Sequence, residues 1–461
     1  MIISGAGKSQ NYSFFNTSQS NNQKASEAST NTDKYIPSAN NNSATYNMFG
    51  NIRKNIFDSF AGENSFMSSI REVFDNVENK VISAKNLVEA AAESEEFEKE
   101  GSWLVESEDK KFALIAKAEN VYYDGDAKTT VVLGSKNAVI NTVNGGNKDT
   151  YIFGSKNVIA TSGNGNDYAH ISGSNNVIVN SGDGQDSSMV YNSRNTIVNS
   201  GNDQDSSMVY NSENVIINGE GGNDSTVISK SSNIIFNGGS GNDSSLVTRS
   251  QNAIINGDIG DDNMTSYGSI DSIFNGGVGQ DIIGINFSEN IVANGGNDAD
   301  QISVNYSNNA IIDGGEGNDV ITVNASTNVI VDGGAGNDAI TASGIISGGT
   351  GDDYIKLHHS IFQKDENIQD IIKYSKGDGH DIIEGVTEDT IIELNGISED
   401  EYDITESRNE NGTKVKTLTM KDGSGSITLV YNGQTNHVKK QDNPEQYGNA
   451  PEYARLNDVT L

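Results

Sequence analysis

A six-residue turn that ends in aspartate returns at a fixed interval through the middle of this chain. From Asp167 to Asp338 the turn recurs in nine successive steps of 19 residues. A Ser-x-Asn motif recurs with the same period, from Ser155 to Ser326. A helix of 3.6 residues per turn would drift out of this register, whereas short β-branched runs between Gly- and Asn-rich turns indicate strands. Repeats of this length predict a solenoid.

The predicted fold class is all-β: a parallel β-roll (β-solenoid) of about 11 coils with a 19-residue repeat. Each coil is a glycine turn, a strand, a Ser-x-Asn turn and a second strand. Five regions are expected along the chain: a disordered Ser/Asn-rich tail at 1–48, a short helical segment at 49–100, lead-in strands forming an N-terminal cap at 101–143, the roll at 144–381, and a C-terminal β cap with a secretion signal at 382–461.

The glycine turn, GGEGND at 314–319 for example, has the composition of a metal site. Glycines permit positive φ and let backbone carbonyls converge, and each turn adds one carboxylate. An oxygen-only set suits a hard cation, above all Ca²⁺, which takes 6–8 oxygen ligands. The candidate ligands are the last aspartates of thirteen turns: Asp149, Asp167, Asp186, Asp205, Asp224, Asp243, Asp262, Asp281, Asp300, Asp319, Asp338, Asp353 and Asp381.

Stacking strengthens the case for a cation. Carboxylates about 4.8 Å apart in successive coils would repel by roughly 3 kcal/mol per neighbouring pair at an effective dielectric of 20. Aspartate and glycine also favour turns for conformational reasons alone, but that preference does not explain an aspartate in sixth place thirteen times. Two turns carry Asp203 and Asp298 where the third glycine belongs, so the sites of Asp205 and Asp300 are in doubt.

The turn sequence, as in GGSGND at 238–243, resembles the nonapeptide G-G-x-G-x-D-x-U-x of RTX (repeats-in-toxin) proteins. The resemblance covers roughly 120–381 and implies a calcium-bound parallel β-roll in a type I secreted protein. The pattern departs from the family in one respect, because each glycine turn alternates with a Ser-x-Asn turn. Calcium is therefore expected along one edge only, with stacked Ser and Asn side chains hydrogen-bonded along the other.

The end of the chain resembles the same family. The stretch that begins KGDGHDIIEGV at 376–386 resembles the haemolysin-type calcium-binding related segment that closes many RTX rolls. The final residues, ARLNDVTL, resemble the uncleaved C-terminal export signal of type I secreted RTX proteins. The implied partner is the type I secretion apparatus of a Gram-negative bacterium, and the implied location is extracellular or on the cell surface.

Composition agrees with a cation-binding extracellular protein. With 64 acidic against 30 basic residues and a net charge of −34, the chain is unsuited to nucleic acid and to anionic membranes. It contains no cysteine, which excludes disulfides and thiol catalysis. Its first residues lack the pattern of a signal peptide, and GAGKS at 5–9 is not a phosphate-binding loop because Ile2 stands where that motif needs glycine.

Catalytic signatures are missing ahead of the roll. The first 120 residues contain no H-E-x-x-H, no G-x-S-x-G and no histidine, so we expect a protein that is not an enzyme. Two alternatives stay open: a calcium-dependent extracellular enzyme resembling polysaccharide lyases, and an RTX adhesin segment with a cell-surface, glycan or host-protein target. Ice binding needs regular rows of threonine, and Thr350 alone fills the expected position.

The second strand of each coil carries three successive apolar residues, such as Val215, Ile216 and Ile217. Because side chains alternate between the two faces of a strand, one of these sets must point outward. The sequence therefore predicts an outward apolar stripe. We expect it to be covered, either by the helix predicted at 65–95 or by a second copy in a homo-oligomer.

Overall fold

A computed structural model describes residues 103–107, 110–358 and 369–432. The predicted tail at 1–48, the helical segment at 49–100 and the export signal lie outside these residues. The described chain is a parallel β-solenoid of about 14 turns with 19-residue spacing. This is more than the 11 coils expected, because parallel pairing already begins where Phe112–Ala116 meets Thr129–Leu133. No helix within the described ranges is long and apolar enough to span a membrane.

The described residues fall into two compact units that divide between residues 282 and 292. The strands of the first unit, in chain order, are β1 (Trp103–Glu106), β2 (Phe112–Ala116), β3 (Glu119–Asp124), β4 (Thr129–Leu133), β5 (Lys136–Asn141), β6 (Asp149–Phe153), β7 (Lys156–Thr161), β8 (Tyr168–Ser172), β9 (Asn175–Asp183), β10 (Ser187–Tyr191), β11 (Arg194–Asn202), β12 (Ser206–Tyr210), β13 (Glu213–Gly221), β14 (Ser225–Ser229), β15 (Ser232–Ser240), β16 (Ser244–Thr248), β17 (Gln251–Ile259), β18 (Asn263–Tyr267) and β19 (Ile270–Val278).

The division between the units falls within β20 (Ile282–Asn286) and β21 (Glu289–Asn297). The second unit continues with β22 (Gln301–Asn305), β23 (Asn308–Glu316), β24 (Val320–Asn324), β25 (Thr327–Ala335), β26 (Ala339–Ala342), β27 (Ile345–Thr350), β28 (Tyr354–Leu357), β29 (Ile371–Ser375), β30 (Gly379–Val386), β31 (Ile391–Asn395), a short 3-10 helix (Glu399–Glu401), β32 (Tyr402–Arg408), β33 (Lys414–Met420) and β34 (Gly425–Tyr431).

Each coil contributes one strand to each of two sheets. The first sheet contains the even-numbered strands, which in the repeats follow the glycine turns, together with β1 and β33. The odd-numbered strands from β3 to β31 form the second sheet. Partners in neighbouring coils are parallel and in register, so Val190 pairs with Val209 and Ile197 with Ile216. Residues that are 19 positions apart in the sequence therefore stack on one another in neighbouring coils.

The two ends differ from the middle. At the start, β1 pairs antiparallel with β2. At the end, β34 pairs parallel with β30, and β32, β33 and β34 form an antiparallel sheet. This arrangement accords with the β cap expected after residue 382, as far as Asn432. A solenoid needs such closure because its last coil otherwise exposes core side chains and an unpaired strand edge.

The core lies between the two sheets and is built from β-branched residues. In β14, Thr226 and Ile228 are buried while Ser225, Val227 and Ser229 are more exposed, which is the alternation of a strand with one buried face. The buried core residues of the second sheet include Val215, Ile217 and Phe236. Since the coils of each unit repeat the same inward positions, core side chains stack from coil to coil within the unit.

Candidate metal centre

The turn aspartates of the first unit form a row of buried carboxylates. From Asp167 to Asp262, the backbone N–H of each aspartate donates to Oδ1 of the aspartate in the following coil, at 2.6–2.8 Å. None of these side chains is more than 4 % exposed. The members are Asp167, Asp186, Asp205, Asp224, Asp243, Asp262 and Asp281.

The second unit repeats this arrangement even where coil length changes. Asp300 donates to Asp319, and Asp319 to Asp338, each at 2.8 Å. The row continues to Asp353 at 2.8 Å after a step of 15 residues, and to Asp381 at 3.1 Å after a step of 28. The turn edge therefore keeps its axial register while the rest of the coil shortens or lengthens.

The second oxygen of most of these carboxylates has no hydrogen-bond donor. Oδ2 is buried and lacks a hydrogen-bond partner among the described residues in nine turns: Asp167, Asp186, Asp205, Asp224, Asp243, Asp262, Asp319, Asp338 and Asp353. Leaving a buried acceptor unpaired costs about 1–3 kcal/mol, and more for a charged group. A row of such buried carboxylate atoms requires a ligand or a proton.

The first glycine of the turn makes room for this oxygen. A Cβ on Gly219 would collide with Oδ2 of Asp224 and with the carbonyl oxygen of Gly238 in the next coil. The same pair of oxygens, one charged and one neutral, lies beside Gly238, Gly257, Gly314 and Gly333. In three earlier turns serine takes the first position: Ser162, Ser181 and Ser200.

The second and third glycines are needed for a different reason. Gly239 has φ 106° and Gly241 has φ 130°. A Cβ on either would collide with the carbonyl oxygen of the equivalent residue in the preceding coil. The turn backbones thus approach closely, and carbonyl oxygens face the neighbouring coil. Where Glu220 and Asp258 replace the second glycine, φ stays positive but falls to 75° and 78°.

The two turns that lack the third glycine still keep the turn conformation. Asp203 and Asp298 adopt left-handed φ values of 78° and 75°, a region that Asp tolerates better than most residues. Asp205 still donates to Asp224 in the row. The backbone of these two turns is therefore compatible with their neighbours, and their own carboxylates are additional acidic groups on the turn.

Burial dominates the electrostatics of the row. It raises the pKa of Asp205 and of Asp243 to about 8, and the charges of neighbouring aspartates in the row add to the effect. Burial likewise raises the pKa of Asp186, Asp262 and Asp338 to about 7. Near neutral pH these carboxyl groups need either a proton or a cation, because a buried unpaired charge is costly.

The residue directly before the turn aspartate forms a second ladder, which the sequence analysis did not predict. The backbone N–H of Asn242 donates to Oδ1 of Asn223 at 2.9 Å, and that of Gln280 donates to Asp261 at 2.9 Å. Here the later coil donates to the earlier one, opposite in direction to the aspartate row. The recurrence of Asn, Asp or Gln at this position was the available signal.

Asp149 does not belong to the row, which corrects the sequence alignment. Asp149 pairs with Tyr168 across the first sheet, one position beyond the turn aspartate. Lys148 occupies the place of the turn residue, and its N–H donates to Oδ1 of Asp167 at 2.6 Å. The step from Asp149 to Asp167 is 18 residues because Asp149 lies one residue after the turn position. Strand pairing, which sets the register, aligns Lys148 with Asp167.

The opposite edge is held by side-chain ladders, as predicted. The N–H of Ser155 donates to Oγ of Ser174 at 3.2 Å, and similar bonds recur in later coils. Asn214 donates from Nδ2 to Oδ1 of Asn195 at 2.9 Å. The asparagines of this ladder have φ of 51–56°, the left-handed region that Asn tolerates. Asp271 replaces one of them and accepts from Asn290 at 2.7 Å.

No group of three or more His, Cys, Asp or Glu side chains converges on one point in the parts of the chain that the structure describes. A metal on the glycine edge would therefore depend on backbone carbonyls together with one carboxylate oxygen per turn. That donor set contains only oxygen, which suits Ca²⁺ or a related hard cation. The residues present fit such an ion.

No protein-family model and no curated protein matches the chain. Among solved structures it is similar to a hyperactive, Ca²⁺-dependent, β-helical antifreeze protein from an Antarctic bacterium, with 19 % sequence identity and a TM-score of 0.34. The match covers 63 % of this chain and 90 % of that one.

Proposed function

We propose that this chain is a secreted, non-enzymatic calcium-binding repeat protein of the RTX type, whose solenoid folds when Ca²⁺ occupies the glycine-turn edge. The observation that carries the proposal is the row of buried Oδ2 atoms that lack a hydrogen-bond partner among the described residues. In the turns of Asp224, Asp243, Asp262, Asp319 and Asp338 this atom lies beside a glycine carbonyl of the next coil. These five aspartates would hold the ions together with those carbonyls. Ca²⁺ would supply charge neutralisation along the row.

Coupling between metal binding and folding follows from this chemistry. Without a cation, buried carboxylates repel one another and stay unsolvated, so the coiled state is disfavoured. With Ca²⁺ the binding free energy becomes folding free energy. A chain that stays unfolded in a calcium-poor cytosol is suited to export through a type I apparatus. It would then fold outside and act as a surface, matrix or host-interaction protein.

Calcium titration followed by circular dichroism and light scattering tests this proposal. At neutral pH we expect little β structure in excess chelator and cooperative folding at about 0.1–1 mM Ca²⁺, the range of weak extracellular sites. Mg²⁺ at the same concentrations is the control, because its smaller ion demands a stricter octahedral geometry. Unchanged β-sheet content in excess chelator would overturn the proposal in favour of a constitutive solenoid.

A further inference from the structure

The outer face of the second sheet is covered along most of its length. The early strands identify the faces: in β5, Ala138 and Ile140 are buried while Val139 and Asn141 are half-buried, so the last two point outward. Parallel register carries the position of Val139 through Ile159 and Ile178 to Ile197. From there every member in the first unit is buried, and the row is Ile197, Ile216, Ile235, Ile254 and Ile273.

The exposed fraction of the side chains in this row falls along the sheet, although no described element begins to cover them. Tyr122, at the same position in β3, is 43 % exposed, whereas Ile235 is 0 % exposed. Val139, Ile159 and Ile178 between them are half-buried. The principal packing partners of these strands, among described elements, are their neighbours in the second sheet and strands of the first sheet, none of which lies on the outer face.

The second unit shows the same pattern. Val292, Ile311 and Ile330 are buried at this position, and Ile345 is half-buried. The next outward position, two residues after the isoleucine, is polar and is also buried. In the first unit it holds a ladder of asparagines, in which Asn256 donates to Asn237 at 2.8 Å. The covered strip is therefore two residues wide, one row apolar and one row polar.

We propose that segment 65–95 of this same chain lies as an amphipathic helix on the outer face of the second sheet, over the rows that begin at Ile197. The segment places apolar residues at helical spacing, which is the pattern of a single apolar stripe. The members of that stripe are Phe66, Ile70, Phe74, Val77, Val81, Ala84 and Val88. Its 31 residues would make a helix of about 46 Å, whereas four strand spacings from Ile197 to Ile273 need only about 19 Å.

The other segments outside the described residues do not offer such a stripe. Residues 359–368 are too few to cover several coils, and 433–461 contain two of the three prolines and no apolar period. Residues 1–48 are rich in Ser, Asn and Thr. Of the chain outside the structure, only 49–100 can supply an apolar face of the required length.

The point of entry into the solenoid also favours this occupant. Trp103 pairs with Ala116, so the chain reaches β1 beside the turn at Lys117 that leads from the first sheet into the second. From β3 to β11 there are four strand spacings, about 19 Å. Residues 96–102 can span about 23 Å when extended, which is enough to link the segment to the covered rows.

Thiol labelling of the full-length protein in excess Ca²⁺ tests the proposal, since the chain has no native cysteine. We expect Ile254→Cys to react at least roughly tenfold more slowly with a maleimide than Tyr122→Cys, the same position in an open coil. Adding Val77→Asp and Val81→Asp should remove the protection of Ile254→Cys and leave Tyr122→Cys unchanged. Adding Glu78→Gln and Glu89→Gln, on the polar side of the segment, should not.

A second measurement leaves the solenoid untouched. A protease site introduced at 97–100 is cut in excess Ca²⁺, and we expect the N-terminal fragment to co-elute with the folded remainder. Separation of the fragment from a monomeric, folded solenoid would overturn the proposal. Protection of Ile254→Cys that depends on protein concentration, with a dimer in light scattering, would assign the face to a second copy instead. Both results are read in protein already folded by Ca²⁺, so they do not depend on the calcium titration.

Discussion

At the residue scale, a single atom distinguishes the two edges of the coil. On the glycine edge the turn aspartate presents a buried Oδ2 without a donor, as in Asp243. On the Ser-x-Asn edge the equivalent role is played by amides that donate and accept, as in Asn214. The first edge accumulates negative charge from coil to coil, whereas the second carries neutral amides except at Asp271.

Substitutions at the two edges should therefore differ in their effect on calcium. Asp243→Asn keeps an acceptor for the N–H of Asp224 but removes the charge, so we expect weaker and less cooperative Ca²⁺-induced folding. Asp243→Ala should add about 1–3 kcal/mol of destabilisation, because the buried N–H of Asp224 loses its acceptor. Folding titrations by circular dichroism measure both effects.

The matched control is Asp271→Asn on the opposite edge. It restores the asparagine ladder between Asn252 and Asn290 and removes no oxygen from the glycine turn. We expect the calcium midpoint to stay unchanged. Equal shifts from Asp243→Asn and Asp271→Asn would refute binding along one edge.

The cost of replacing a turn glycine should depend on whether a backbone carbonyl of the neighbouring coil lies against it. Gly241→Ala places a Cβ against the carbonyl oxygen of Gly222 at φ 130°, and we expect at least about 2 kcal/mol of destabilisation. Gly154→Asn places a side chain in open space at φ 55°, where Asn192 and Asn211 already occupy the same position. We expect that change to lie within about 0.5 kcal/mol. Denaturant unfolding in excess Ca²⁺ compares the two, and similar losses would contradict close turn packing as the cause.

At the element scale, the period predicted which residues stack but not where their side chains point. Stacking of the aspartates and of the Ser-x-Asn motif was correctly predicted because those residues are spaced by a constant 19. The register of Asp149 was wrong, because an aspartate next to the turn was taken for the turn residue. The ladder that ends with Asn256 and Asn275 was missed, although it has the same spacing, because three apolar neighbours leave the faces of a strand ambiguous from sequence.

That buried ladder should contribute more than an exposed one. Asn256 donates to Asn237 at 2.8 Å and accepts from Asn275 at 2.7 Å, so Asn256→Ala leaves two buried groups without this partner. We expect a loss of about 2 kcal/mol or more. Asn202→Ala removes an exposed bond to Asp183 and should cost under about 0.5 kcal/mol. Urea unfolding at saturating Ca²⁺ measures the difference, and equal losses would place the Asn256 row in contact with water.

At the scale of the whole molecule, protons and calcium compete for the same row. The ordinary aspartate pKa is 3.8, whereas burial raises the pKa of Asp167 and Asp319 to about 6 and that of Asp205 and Asp243 to about 8 in the fold. Between the ordinary pKa and these raised values, the metal-free fold therefore binds more protons than the unfolded chain. By linkage, its stability is greatest below the unfolded pKa and is lost as pH rises through the folded values.

We therefore expect the calcium-free chain to gain β structure when the pH falls from 8 to 5. The calcium requirement should move the other way: the Ca²⁺ midpoint should decrease as pH rises over the same range, because the ion binds the deprotonated carboxylate. Circular dichroism in chelator and in graded Ca²⁺ gives both curves. A calcium-free fold that grows more stable towards pH 8 would show that the row is neutralised in some other way.

The aspartate row keeps its axial hydrogen bonds where the coils differ in length, and this affects how the number of repeats can evolve. Steps of 15 and 28 residues leave the axial bonds of Asp353 at 2.8 and 3.1 Å, and the longer coil returns through Asp370, which accepts from Ser343 and Gly344. Unequal recombination that adds or deletes one whole repeat should therefore yield a viable protein of different length. Insertions that carry new binding loops should be tolerated between turns, whereas insertions or deletions inside the six turn residues, which would break the axial register, should be eliminated by selection.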